Sequence, residues 1–525
     1  MLILWGSNAR ETHPIMFHHM LKGQRNGAQL VVVDPRRTPT ARFADEHVAV
    51  AVGSDIALAN AVAHVIIAEK LEHSWFIENS TEGYPEFRAS VADTTPEWAA
   101  RETGVPADQI RRIARRYARA DRAIICWTLG ITEHHNAVDN VHALINLALL
   151  TGHVGRYGSG LNPLRGQNNV QGGGDMGAVP LRLPGFQDVF DPARRRPFEE
   201  RWGVRLSASR GMNVTEMLDA AAEGRLHALY VIGENPAVSD ADTHHVEKAL
   251  GRLDCLVVQD LFLTRTAEAA HVVLPAAAGW CETEGTVTAS DRRVQRIRKA
   301  VEPPAGVRDD LVVVQDVARR MGAAWWAPQT AREIWDELRD LSPIHHGMTY
   351  ARLDEGSGLR WPCWDENHPG EQFLHARLWK TPCEGERAAF RAVVHDPPVD
   401  RVDGEYPLLL TTGRRLDSFN TGAQSSWFRT PLRRDEALLL SAADMAALDL
   451  VDGDRVRVRS RRGQIEVPVR GDDTVKPGLA FMTFHFPDAV ATNHLTINAV
   501  DPLSGTAEFK ASAVRVEKAE PASLR

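Results

Sequence analysis

In this 525-residue chain one stretch joins a permanent cation to a run of carboxamides: Arg165-Gly166-Gln167-Asn168-Asn169. From Gly166 to Gly177, five of twelve positions are glycine and four are carboxamides (Gln167, Asn168, Asn169, Gln171). Carboxamides donate and accept hydrogen bonds without charge, which suits the edge of a heteroaromatic ring or a small polar substrate. Glycines let backbone amides approach a bulky ligand closely. Arg165 adds a planar fork that matches a carboxylate or a phosphate. Glycine weakens helices and strands, and asparagine prefers local bonds, so the stretch 161–180 is expected to be a loop. A flexible surface linker is the competing reading. The exit directly from an apolar helix and the Arg-Gly-Gln-Asn-Asn opening favour a buried, ligand-facing loop.

Other chemistries find little support. The chain has no G-x-S-x-G elbow and no phosphate-binding Walker loop. Cys281 stands in Gly279-Trp280-Cys281-Glu282 without an obvious base. The pairs His134-His135, His244-His245 and His345-His346 suggest a metal. Adjacent residues on a regular element point apart, however, and no third ligand at useful spacing accompanies them, so all three pairs are read as structural and no metal ligand is assigned.

The elements that position the loop alternate strand and helix. Apolar runs at Leu2–Trp5, Leu30–Val33, His47–Val52 and Ala123–Ile131 read as strands, with helices near Pro14–Lys22, Asp55–Glu69, Pro106–Arg119 and Val138–Leu150. Gly152 is placed to close the last of these helices. Continuous apolar strands between helices imply a parallel sheet covered on both faces, with ligands at the carboxyl ends of the strands. Ser7, Asn8, Glu11, Thr12, Asp34, Arg36, Thr38, Gly53 and Asp55 fall at those ends. Taken singly they read as helix caps; taken together they read as the rim of a nucleotide pocket.

The pattern then repeats. Gly233-Glu234-Asn235-Pro236 follows one apolar strand and Gln259-Asp260 another, so a second, similar lobe is expected. The segments 284–286 and 290–293 read as polar loops, and Ala331–Leu341 as a helix. Beyond a linker at 396–405, short stretches alternate apolar and polar residues, among them Val456, Val458, Ile465 and Val467. This last unit, about 130 residues long, reads as a β-barrel-like domain. Gly413-Arg414-Arg415, Asn420-Thr421-Gly422, His485, Asn493 and Lys510 are polar residues at its strand ends and loops. The expected fold is α/β: two Rossmann-like parallel-sheet lobes (1–164 and 165–395) and a barrel (396–525).

Bulk properties narrow the class. Hydrophobic residues at 43% and charged residues at 25% describe a soluble globular protein. A net charge of −8 argues against bulk nucleic-acid binding. No run approaches the roughly 18 uninterrupted apolar residues of a membrane helix. Five scattered cysteines (Cys126, Cys255, Cys281, Cys363, Cys383) suggest a reducing compartment, hence a cytoplasmic location, and form no four-Cys cluster motif.

The stretch LNPLRGQNNVQGGGDMGAVP, preceded by DNVHALINLALLTGHVGRYGSG, resembles the catalytic subunit of formate dehydrogenases, of the molybdopterin oxidoreductase superfamily. GSNARETHP, VVVDPRRTPTARFADEHVAV, VIGENP, TTGRRLDSFNTG and LTINAVDPLSGTAEFKASAVRV extend the resemblance over essentially the whole chain. It implies a molybdenum or tungsten ion held by two molybdopterin guanine dinucleotides, with formate or a similar small anion as substrate and an electron-transfer partner. It assigns Arg165 and Gln167 to the substrate side. Asn8, Glu11, Thr12, Asp34, Arg36, Gly53 and Asp55 are implied for one nucleotide. Gly233, Asn235, Ser239, Gln259, Asp260 and Asp310 are implied for the other. Arg414, Asn493 and Lys510 are implied for the pterin and phosphate parts, from a barrel similar to the family's double-psi barrel.

The family carries a [4Fe-4S] domain, and its metal-ligating cysteine or selenocysteine, ahead of the strand with which this chain starts. None of the five cysteines here stands in that context. A truncated piece, with little formate oxidation by this chain alone, is the favoured expectation. Completion by a separate polypeptide, a non-catalytic cofactor-binding protein and a nitrate-type oxyanion reductase are the alternatives.

Overall fold

The three central strands of the first sheet, Leu-Ile-Leu-Trp, Leu-Val-Val-Val and Ile-Ile-Cys-Trp, carry no charged or amide side chain, while the two edge strands are mixed. In the computed structural model, which describes residues 1–323, 329–418, 420–421 and 435–519, β1 (Leu2–Trp5) pairs in parallel with β2 (Leu30–Val33) on one side. On its other side lies β4 (Ile124–Trp127), after β3 (Glu46–Val48) has added to β2. With β5 (Gly160–Pro163) the order is β3-β2-β1-β4-β5. Each crossover runs through helix or loop, so both faces are covered and the central strands β2, β1 and β4 can be apolar throughout. Helix α1 (Asp55–Ala68) is buried nearly all round, and α2 (Ala137–Thr151) stops at Gly152, φ +67°, as the sequence implies. The turn after β1 needs two glycines. A Cβ on Gly6 (φ +59°) would lie 2.8 Å from the Gly130 carbonyl carbon, and one on Gly130 would lie 2.5 Å from the Gly6 oxygen. The end of β1 and the short helix after β4 therefore touch backbone to backbone.

The second sheet holds β6 (Ala228–Ile232), β7 (Cys255–Asp260) and β8 (Val272–Pro275), all parallel, with β7 central. Two sequence expectations hold only in part nearby. Of the segments read as polar loops, 290–292 form the turn of an antiparallel hairpin, whereas Gly285, Thr286 and Arg293 lie in its strands β9 (Gly285–Thr288) and β10 (Arg293–Ile297), with Thr286 opposite Arg296 and Val287 opposite Gln295. Only Val294 in it is fully buried, so no apolar run announces the strands. The 161–180 stretch is not all loop either: it starts in β5 and contains helix α3 (Val170–Asp175). Its glycines permit that helix. A Cβ on Gly172 would fall 2.0 Å from the Asn169 side-chain oxygen.

The C-terminal strands close into a six-stranded barrel: β11 (Leu408–Gly413), β12 (Leu438–Leu440), β13 (Arg455–Arg459), β14 (Gln464–Gly471), β15 (Leu479–Thr483) and β16 (Ser512–Lys518), in the order β11-β15-β12-β14-β13-β16. The pairs β11/β15 and β12/β14 run parallel and the rest antiparallel. Alternation along β13 and β14 turns Val456, Val458 and Val467 inward to complete burial, each stabilising the barrel by roughly 1.5–3 kcal/mol relative to exposure. The linker is pinned to the barrel by buried Asp400. Its carboxylate pairs with Arg461 and Arg462 and accepts from the Ala513 amide at 3.0 Å.

By internal contacts the chain forms two units, 1–164 with 237–246 and 373–525, and 165–236 with 247–372. The first sheet and the barrel belong to the first unit; the second sheet, the hairpin and α3 belong to the second.

Candidate functional site

In the first unit the carboxyl ends of β1, β2 and β3 carry the predicted rim. Asp34, directly after β2, is buried, and its carboxylate accepts from the Arg36 amide at 2.9 Å. Burial pushes its pKa up to about 6, against the Arg36 amide bond and guanidinium. Asp55 opens α1, accepts from the Trp5 indole N–H at 2.7 Å, and is likewise raised by burial against the attraction of His134. The Arg36 guanidinium lies 3.5 Å from the centroid of the Phe481 ring and donates to the Thr474 hydroxyl at 3.3 Å. Its Nε is buried with no hydrogen-bond partner among the described residues. Arg414, immediately past β11, sits 5.1 Å over Phe484, and its buried Nη1 also lacks a partner. Burial lowers the pKa of both guanidinium groups. Two desolvated cations with open N–H positions are a poor end in themselves and a good receptor for phosphate oxygens.

The remaining rim residues are largely engaged by the fold. Asn8 accepts from the Thr40 hydroxyl at 2.7 Å, Thr12 donates to the Asn8 carbonyl at 3.2 Å, and Glu11 accepts from the Leu416 amide at 2.5 Å. Gly53, φ +76°, is needed because a Cβ there would lie 2.6 Å from Pro398. Ser239 falls in the first unit rather than beside Gly233; its carbonyl accepts from Asn493 at 3.2 Å, as the Val238 carbonyl does at 2.9 Å. Gly422 lies outside the described residues.

Sequence reading missed one cluster of this unit. Lys510 pairs with Glu133 at 2.6 Å and donates to the Thr412 carbonyl at 3.2 Å. Two residues before it, fully buried Glu508 pairs with His134 at 3.2 Å and with His135 at 3.3 Å, and Asp396 caps His135 at 3.0 Å. Burial opposes the charges. Glu508 is nevertheless held below the usual carboxylate range by His134 and His135, and His134 is raised by Glu508. The histidine pair was visible in the sequence; its partner, more than 370 positions away, was not.

In the second unit Gly233 (φ +63°) turns the chain after β6. Gln259, fully buried at the end of β7, accepts from the Tyr230 hydroxyl and donates to Asp310. Asp260 and Asp310 are both raised by burial. Gln259 and Asp260 at the end of β7, Tyr230 within β6 and Asp310 at the head of the helix Asp310–Arg320 thus form one polar group, with carboxylates able to accept from N–H donors. Asn235 serves the fold: its side-chain oxygen accepts from the Thr266 hydroxyl at 2.7 Å and amide at 3.1 Å.

The loop that opens with Arg165 is fastened to the hairpin. The Arg165 amide donates to the Ser290 hydroxyl at 3.2 Å, and Asn169, in the left-handed region at φ +61°, accepts from the Thr288 amide at 2.9 Å. Arg165 is half-buried, but Gly166, Gln167 and Asn168 are exposed, so the head of the loop is not buried as its composition led us to expect. Among the described residues no group of three or more His, Cys, Asp or Glu side chains is arranged to hold a metal ion, and no helix is long and apolar enough to cross a membrane.

Residues 1–320 match the molybdopterin oxidoreductase family, and residues 408–513 the molybdopterin dinucleotide binding domain. The chain belongs to this family. It is 43% identical over 98% of its length to F420-dependent formate dehydrogenase 2 subunit alpha of Methanococcus maripaludis, and covers 76% of that protein. Formate dehydrogenase H of Escherichia coli is 39% identical over 98% of the chain, which covers 72% of it. The fold is that of acetylene hydratase from Pelobacter acetylenicus, with a TM-score of 0.75 over 99% of this chain and 78% of that one at 19% identity. As a molybdopterin oxidoreductase the chain requires a large anionic dinucleotide cofactor, and its residues fit one. Among the described residues Arg36 and Arg414 supply buried N–H groups lacking partners, and each unit carries a strand-end carboxylate lifted by burial, Asp34 and Asp260.

Proposed function

We propose that this chain takes formate as its substrate and belongs to an enzyme that oxidises it to CO2. The reaction removes one proton and two electrons from the formate C–H bond. The molybdenum or tungsten centre of the bis-molybdopterin guanine dinucleotide supplies the two-electron acceptor when bound. The observation that carries this reading is Arg165, a half-buried guanidinium at the start of a loop fastened to β9 and to the turn that follows it. A planar fork binds a one-carbon carboxylate through two parallel hydrogen bonds and so orients its C–H bond. Exposed Gln167, in the same loop, offers an uncharged donor and acceptor to the same small anion.

We assign Asn8, Glu11, Thr12, Asp34, Arg36, Gly53 and Asp55 to one guanine nucleotide. Gly233, Gln259, Asp260 and Asp310 are assigned to the other, while Asn235, held by Thr266, and Ser239, in the first unit, are left out of it. Arg414, Asn493 and Lys510 are assigned to the pterin and phosphate parts. Electrons leave to a partner subunit or carrier. The five free cysteines fit a cytoplasmic setting.

Isothermal titration of the cofactor-loaded chain tests the substrate: formate binds saturably, and acetate, larger by a methyl group, binds more weakly. Saturable binding of nitrate with none of formate would contradict the reading.

A further inference from the structure

Beneath the loop that carries Arg165 lies a carboxylate with no role in binding or chemistry so far. Asp175, the last residue of α3, is fully buried. One of its oxygens accepts from the Gln171 side chain at 2.7 Å, one turn back on the same helix, and the other from the Trp361 indole N–H at 2.8 Å. Its carbonyl accepts from the Gly185 amide at 2.7 Å. Trp361 is itself fixed. Its ring packs against Phe186 at 5.5 Å and edge-on to His345 at 6.5 Å, and its carbonyl accepts from the Arg292 guanidinium, which also lies 5.3 Å from the ring. Arg292 follows Ser290, the residue that receives the Arg165 amide. The loop is therefore tied into the hairpin at its start through Ser290, at the head of α3 through Thr288, and at the foot of α3 through Asp175 and Trp361.

We infer that Asp175 is a positioning residue for Arg165: by accepting from Gln171 and Trp361 together, its carboxylate locks the foot of α3 and with it the loop that presents the guanidinium. This rests on Arg165 being the formate-binding group. The role is one of hydrogen-bond geometry rather than charge. Burial lifts the Asp175 carboxyl to about 6, against the bonds from Gln171 and Trp361 and the attraction of Arg165, so the site holds the charge at some expense. An asparagine at 175 keeps the arrangement: its oxygen accepts from Trp361, and its amide donates to Gln171 once that carboxamide has turned over.

Three variants of the cofactor-loaded protein, Asp175→Ala, Asp175→Asn and Trp361→Phe, are compared by formate titration and by hydrogen exchange of amides 165–175. Asp175→Ala and Trp361→Phe are expected to weaken formate binding about tenfold, because a small displacement of an orienting group costs that much. They also speed exchange across the loop while leaving the strands of the first sheet unchanged. Asp175→Asn is expected to restore both readouts to near the parent values. Should the alanine variant fail to fold, Trp361→Phe gives the same reading with the carboxylate in place. Parent-like affinity and exchange in Asp175→Ala or Trp361→Phe overturns the inference, and so does an Asp175→Asn variant as impaired as Asp175→Ala. A parent protein that does not bind formate at all, with the exchange pattern as expected, removes the substrate reading and leaves the lock standing.

Discussion

Replacing Arg165 with alanine is expected to weaken formate binding by about 100-fold. Two charge-assisted hydrogen bonds to one carboxylate are together worth about 3 kcal/mol, and each 1.4 kcal/mol is a factor of ten. Lysine at the same position keeps the charge and loses the fork, so Arg165→Lys is expected to give about tenfold. Thermal stability should hardly move, because the side chain is only half-buried and its amide, which binds Ser290, survives the exchange. Titration calorimetry beside a melting curve separates the outcomes. Formate affinity unchanged in Arg165→Ala removes the guanidinium from the substrate site; a collapse of the melting temperature would make its role structural.

The second large effect is on stability, at Glu508. Exchange for glutamine removes the charge that two histidines face while Glu508's position and His134 stay buried. Breaking a buried ion pair on one side costs about 3–5 kcal/mol. The loss depends on pH in a defined direction. His134 is raised above its ordinary 6.5 by Glu508 and by Asp55, against burial and the repulsion of Lys510, so its share is complete below 6.5 and fades as pH rises through the raised value. Glu508 is held below its ordinary 4.5, so its share is complete above that range and is lost only in strong acid. His135, bonded to Glu508 and Asp396, is raised as well and follows His134. The gap between the parent and Glu508→Gln should be widest between about pH 5 and 6.5 and narrow towards pH 9. Urea melts of both proteins at three pH values measure it. A gap that widens with pH would mean that the histidines are neutral in the folded protein.

The sequence was most informative where one local pattern decides the structure. Val31, Val32 and Val33 can only be a strand covered on both faces, and Val456 and Val458 can only line one side of a strand. Asp34 and Asp55 were legible as rim residues because a parallel sheet presents polar residues at one end of its strands. Long-range pairing was not legible. Glu508 is unremarkable until the fold carries it to His134, and the pairing of Lys510 with Glu133 shows only in the fold. Strand β12, three leucines beside a stretch of mixed composition, gave too short a run to identify. Helix α3 was hidden by its glycines, since propensity counts against a helix that is made by packing on Thr288 and Trp361. Ser239, read as part of the second lobe, belongs with Asn493 because residues 237–246 join the first unit, an exchange between units that no composition shift marks.

The central claim is that the chain is built around two guanine dinucleotides and one metal. The direct measurement is acid release of guanine nucleotide together with elemental analysis of the purified, cofactor-loaded protein. The account predicts two guanine nucleotides and one molybdenum or tungsten per chain, with the nucleotide lost when Arg36 and Arg414 are both changed to alanine. Protein that is folded and yields neither nucleotide nor metal under conditions that load a known member of the family would contradict it.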